Sequence, residues 1–367
     1  MQPMDIKPLT SLRFWAASWV VLYHYWPKLA SSWVSPLVEK GYLGVELFFV
    51  LSGFILSHVY LEAVGQGRFN YFGFLWARLA RIYPLHLATL AGLGLMALGA
   101  QAAGVSVDKT VLAWTSLPAN LSLTQAWGLA PEAGWNHPSW SISAEWFAYL
   151  GFPVFAAAAW PLRKRPFVAG GLALALLAGL YAVFPSIGGI ALDHATIAWG
   201  ALRIVPCFAY GCAIYLIWRS NPVRRAGQAL AGAFVSGAAV IVSGQMSAPD
   251  TLIVGLFGPL VLFLAALAST GSKRGSSPVF VYLGEISFAM YMVCIPWSLF
   301  FVNVCARLLH ESDKRLPLAA WILLVIGVVP LAALAHHLVE RPARERMRAW
   351  VRVPPGRPAS HAAVAQA

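Results

Sequence analysis

Ten runs of predominantly apolar residues, most of them close to twenty residues long, leave this chain few places to fold other than a lipid bilayer. A helix rises ~1.5 Å per residue, so ~20 residues match a hydrocarbon core of ~30 Å. The runs fall at roughly 9–26, 41–61, 84–104, 141–161, 167–184, 198–218, 226–244, 251–270, 279–305 and 317–339. Inside a bilayer each segment must satisfy its own backbone polar groups, and runs of this length do so as helices. The expected fold is all-α, a polytopic transmembrane helical bundle of about ten spans. With only 11% charged residues, the chain carries about half the charge of an ordinary soluble domain.

The basic residues are unevenly placed. With the N-terminus inside, nineteen Lys and Arg, Arg13 near the inner end of the first run among them, fall on the inner side and the tail, six fall on the outer loops, and Arg203 lies deep within a span. Basic residues in short loops are retained on the cytoplasmic side, so both termini are expected there. The net charge of +12 is therefore a topology signal, and no nucleic-acid partner is expected. The four cysteines, Cys207, Cys212, Cys294 and Cys305, lie in predicted spans. They have no metal-ligand spacing and no disulfide framework, and no metal is expected. The first apolar run is too long for a cleaved signal and lacks a small-residue cleavage site, so it is expected to stay as an anchor. One membrane domain over residues 1–343 is expected, followed by a basic cytoplasmic tail over 344–367 that is too poor in apolar residues to pack.

Several polar residues interrupt the apolar runs. Arg13 and His24 are eleven positions apart, which returns to within about 20° of one helix face and separates them by ~16 Å along the axis. Polar groups at that depth need a partner or a wet cavity. Read alone, Arg13 is equally an interfacial anchor and His24 a satisfied buried histidine. In the second run, Gly41, Gly44 and Gly53 suit close helix packing, while Glu46 and Ser52 are polar at depth. Arg78 and Arg81 are three apart and share a face at the inner surface. Such a pair can grip phosphate, and ordinary topology also accounts for it. Glu145 lies about one turn inside the outer surface, near Ser139, Ser141, Ser143 and Tyr149, where it is placed to orient His24 or to pair with a cation. Arg203, close to Pro206, is the cation least explained by topology. The stretch from Gly104 to Trp140 is the longest expected external segment, and a re-entrant or interfacial helix fits within it.

Taken together, these stretches resemble the membrane acyltransferase 3 family, the bacterial integral-membrane O-acyltransferases, from about Leu9 to Pro342. The pattern Arg-x10-His is met by Arg13 and His24, GVELFFVLSGF by Gly44 to Phe54, and Arg-x-x-Arg by Arg78 and Arg81. PSWSISAEWFAY matches the family's motif at Trp140, Ser141 and Glu145. Arg203 with Pro206 and Phe208 is similar to a later arginine motif, and Glu340 to Pro342 to the closing one. One departure is visible: where the ninth span often carries a histidine after Ser-Tyr-x-x-Tyr-Leu-x, this chain has Cys294.

The resemblance implies a multi-pass protein of the bacterial inner membrane. It implies acyl transfer from acetyl-coenzyme A, or another acyl-coenzyme A, to a hydroxyl of a cell-surface or exported carbohydrate. O-antigen, exopolysaccharide or a lipid-linked sugar would qualify, and a lipid or a macrolide-type metabolite is the alternative acceptor. On this expectation Arg78 and Arg81 hold the coenzyme A phosphates, with Arg13 helping. His24 serves as general base or as acyl-carrying nucleophile, and Glu145 orients it. Arg203 also serves the donor, against charge on the thioester oxygen. A proton-coupled transporter would also bury Arg, His and Glu, but would favour repeat symmetry, and none is detectable.

Overall fold

The computed structural model describes residues 6–31, 33–104, 111–272, 274–309 and 314–350. In chain order its helices are α1 (Lys7–Tyr25), α2 (Pro36–Glu39), α3 (Gly44–Gly65), α4 (Tyr71–Ala102), α5 (Leu117–Leu121), α6 (Trp140–Leu150), α7 (Phe152–Leu162), α8 (Pro166–Gly188), α9 (Gly200–Arg219), α10 (Ala226–Gln245), α11 (Asp250–Ser269), α12 (Pro278–Glu285), α13 (Ser287–Leu309), α14 (Leu318–Ala335) and α15 (Arg341–Trp350). The boundaries follow local chemistry. Proline opens α2, α8 and α12, where its missing N–H costs nothing. The Asn70 side chain accepts the Gly73 N–H at 2.9 Å and caps α4. Among the described residues there is no strand, only an isolated bridge between Leu29 and Leu316.

Eight helices are long and apolar enough to cross a membrane, and α6 with α7, bent by 59°, forms a ninth candidate. The nineteen residues of α1 are long enough but carry Arg13 and His24. This helix buries Ala16, Ala17, Val20 and Val21 inside the bundle, against α3, α12 and α13. Thr10 and Arg13 near its start share a cavity with His336, Arg341 and Arg344 at the other end of the chain. Both ends of the bundle therefore lie on one face, called here the N-terminal face. That requires an even number of crossings, and α1 supplies the tenth.

Close contact of α3 with α9 depends on two glycines. A Cβ at Gly53 would strike the Phe208 carbonyl, and one at Gly211 would strike the Val50 carbonyl. Small residues let the backbones touch, as helix pairs in lipid require.

The connection from α4 to α6 is not the wholly external segment that the sequence suggests. Tyr83 Oη donates to the Leu121 carbonyl at 2.9 Å, and His86 Nε2 lies 2.8 Å from the Asn120 carbonyl. His86 is ~22 Å along α4 from Tyr71, near mid-helix. Asn136 Nδ2 donates to the Met292 carbonyl at 2.8 Å. Ser116, Asn120, Gln125 and Asn136 are all buried. The segment re-enters the bundle, and its polar side chains satisfy the backbone groups it brings with it. As a result α6 starts at mid-depth and crosses only the half nearer the N-terminal face. Its end is fixed there, because Tyr71 Oη donates to the Leu150 carbonyl at 2.9 Å.

The first residues of the expected tail are helical. Residues 344–350 belong to α15, which lies against α4. Residues 351–367 lie outside those described.

Candidate active site

Arg13 sits six residues into α1, and Arg78 and Arg81 sit seven and ten residues into α4. Both helices start at the N-terminal face, so all three guanidinium groups reach a similar depth. They line a cavity of about 210 Å³ together with Ser52 of α3, Glu145 and Tyr149 of α6, Tyr291 of α13 and Arg348 of α15. Apart from Ser141 its remaining walls are apolar, including Phe48, Ile55, Ile82 and Phe288. Glu145 accepts a hydrogen bond from Ser52 Oγ at 2.5 Å, and the buried Tyr149 lines the same cavity.

Four arginines thus face one carboxylate across a confined, largely apolar space. Like charges held together in low dielectric repel strongly unless an anion intervenes. Arg78 Nε is buried and has no hydrogen-bond partner, which leaves a charged donor unspent. A second cavity of about 420 Å³ opens at the N-terminal face and shares Arg13 and Arg81 with the first. Arg341, Arg344, Thr10, Glu285 and His336 complete it. Glu340 is buried behind it, 2.9 Å from His336 Nδ1, and accepts from Arg344 Nη1 at 3.4 Å. The two spaces form a funnel, cationic at the mouth and apolar within. An anionic head with a slender uncharged arm fits this shape.

The site differs from the sequence expectation in three places. Glu145 belongs to the arginine cluster and is not placed to orient His24. It lies ~7 Å along α6 from Leu150, in the half nearer the N-terminal face, because the chain before it has already re-entered the bundle.

His24 lies ~16 Å beyond Arg13 along α1 and lines neither cavity. Its ring meets that of Tyr23 edge-on, and the titratable group that acts on it is His137. The sequence analysis gave His137 no role. Its place in NHPSWS, three residues before Trp140, was the available signal. A hydrogen-bonded knot separates this pair from the cavity. Ser141 Oγ donates to Tyr291 Oη at 2.9 Å, and Tyr291 Oη donates to the Pro138 carbonyl at 2.6 Å. Cys294, which stands where a histidine was expected, is buried and donates to the Tyr291 carbonyl at 3.0 Å.

Arg203 also stands apart. Its Nε pairs with the Glu46 carboxylate, its Nη1 donates to the Ala195 carbonyl at 3.2 Å, and its guanidinium lies 4.6 Å from the centre of the Trp140 ring. It lines neither cavity. Its charge is spent holding α9 against α3 and the start of α6.

A multi-pass bundle with a cationic funnel on one side and two half-buried histidines beyond it has the outline of a membrane group-transfer enzyme. The family model described as an acyltransferase domain matches residues 7–337. The chain belongs to that acyltransferase 3 family, and the protein is an acyltransferase. Acyltransferase MdmB of Streptomyces mycarofaciens is 31% identical over 316 residues, covering 78% of each chain. A Staphylococcus aureus (strain COL) protein named as a candidate O-acetyltransferase is 22% identical over 368 residues, covering 93% of this chain and 57% of its own. No solved structure matches.

Proposed function

We propose that the protein moves an acyl group, acetyl in the simplest case, from acyl-coenzyme A to a hydroxyl of a cell-surface or exported carbohydrate. It would do so in the bacterial inner membrane, with the N-terminal face toward the cytoplasm. The observation that carries this reading is the funnel: four arginines against one carboxylate, with Arg78 Nε unpartnered, leading into an apolar slot. Nineteen of the 26 basic residues fall on that face by the sequence reading, which supports its cytoplasmic orientation.

In this mechanism Arg13, Arg78 and Arg81 grip the phosphates of the donor through charge-assisted hydrogen bonds. The neutral pantetheine arm runs up the slot past Ser52 and Glu145. Glu145 offsets part of the cationic charge, so the arm passes without the site collapsing onto a stray anion. The thioester then arrives beneath the Ser141–Tyr291–Pro138 knot. The ~16 Å between Arg13 and His24 is the span the arm has to bridge. An acceptor hydroxyl from the opposite face loses its proton to His24, its oxygen attacks the thioester carbon, and the carbon–sulfur bond breaks to release the coenzyme A thiolate. Alternatively His24 first takes the acyl group and passes it on. Arg203, neutralised by Glu46, takes no direct part.

The test is transfer from labelled acetyl-coenzyme A in isolated membranes. Arg78→Ala with Arg81→Ala should raise the KM for acetyl-coenzyme A at least tenfold while the protein still reaches the membrane. Equal affinity in wild type and variant would refute the donor assignment. The same assay supplied with carbohydrate, lipid or macrolide-type acceptors separates the acceptor classes.

A further inference from the structure

We propose that the C-terminal helix α15 is part of the donor site, with Arg344 and Arg348 gripping the phosphate-bearing end of the acyl donor. The inference rests on the donor reading above and extends it to a segment outside the 7–337 family match.

Arg344 and Arg348 are four residues apart and lie on one face of α15. Arg344 lines the outer cavity beside Arg13 and Arg81, and Arg348 lines the inner one beside Arg78. The charges acting on Arg348 include Arg78, Arg344 and Arg81, all of its own sign. An arginine serving only to fix topology would extend into water, where repulsion is screened. Arg344 is half-buried and Arg348, though exposed at one edge, lines the inner cavity, so both turn toward the three guanidinium groups of Arg13, Arg78 and Arg81.

The helix is also held in place. Trp76 Nε1 donates to the Met347 carbonyl at 2.6 Å, and the Trp76 ring lies 6.3 Å from that of Trp350. Trp76 precedes Arg78 by two residues. The clasp therefore sets Arg348 opposite Arg78 by fixing α15 on the helix that carries it. Arg341 is not part of this set, because Glu345 accepts from its Nε at 3.0 Å on the exposed side.

Two sources could supply the phosphate, the nucleotide end of coenzyme A or an anionic lipid headgroup, and the test separates them. Full-length wild type, Arg344→Gln with Arg348→Gln, Arg348→Lys and Trp76→Phe are reconstituted in neutral vesicles. The kcat/KM is measured with acetyl-coenzyme A and with acetyl-pantetheine, which has no phosphate. We expect the preference for acetyl-coenzyme A to fall at least tenfold in the double variant, and in Trp76→Phe to fall in the same direction. Arg348→Lys should recover part of it, since a point charge replaces the fork. An unchanged preference in folded double variant overturns the proposal. So does an effect that appears only when anionic lipid is added, which would make α15 a lipid contact. A wild type that does not use acetyl-coenzyme A at all would instead overturn the donor reading.

Discussion

Removing either member of the Glu46–Arg203 pair separates a structural role for Arg203 from a donor-binding one. Both side chains are buried, Glu46 at 0% and Arg203 at 2% exposure. Arg203→Met leaves the Glu46 carboxylate buried without its cation, and Glu46→Leu leaves the guanidinium equally stranded. Stranding a charge in this way costs ~3–5 kcal/mol, whereas replacing both partners by apolar groups of similar volume is often neutral. One atom on each side, Glu46 Oε2 and Arg203 Nη2, already lacks a hydrogen-bond partner, so the native pair is incompletely satisfied. The double variant Glu46→Leu with Arg203→Met should therefore regain most of the stability lost in either single variant. Thermal unfolding of the purified protein in detergent would show this as two low-melting single variants and a double variant near wild type. Coenzyme A affinity in the double variant should stay within about threefold of wild type, because Arg203 lines neither cavity. Single variants that melt like wild type, together with a clear rise in KM for acetyl-coenzyme A, would refute the reasoning and return Arg203 to the donor site.

Three further outcomes are expected. His24→Gln should lower transfer by at least ~10²-fold, the lower end for a lost general base, with donor affinity retained; transfer above a tenth of the wild-type rate would make His24 structural. Label trapped from the donor on wild type but not on His24→Gln would identify an acyl-histidine. Cysteines placed at Glu132 and Lys164, both exposed, should react with an impermeant reagent from opposite sides, and labelling of both from outside would refute the ten-crossing arrangement. Asp193, in the turn Leu192–His194, is raised from 3.8 to about 6 by burial and by its hydrogen bond to Asp250. Asp250 is held by Lys40 at 2.5 Å and by Tyr42 Oη at 2.6 Å. A raised carboxyl contributes stability below its unfolded value and loses it as pH rises through about 6. Asp193→Asn should therefore gain melting temperature relative to wild type between acid and neutral pH, and a pH-independent difference would count against this.

Helical periodicity settled relations within single elements. It put Arg78 and Arg81 on one face and set Arg13 and His24 along one stripe of α1, because a helix fixes the direction of each side chain from its position alone. The length and number of the apolar runs likewise determined an all-α bundle, since only lengths near the bilayer thickness recur. Motif spacing was enough to point to the family. Relations between elements were decided only by packing. Glu145 joins Arg13 instead of His24 because the α4–α6 connection re-enters to mid-depth, held by Asn120 and Asn136 on His86 and Met292. No local pattern records how deep a loop returns. Arg203 meets Glu46 because Gly53 and Gly211 bring α3 and α9 into backbone contact. Arg348, which reads in the sequence as one more arginine of a basic tail, reaches the cavity because Trp76 fastens α15 to α4. The local pattern fixes each side chain's direction on its own helix, but where two helices meet is set by the surface both bury and by the polar groups that must find partners there.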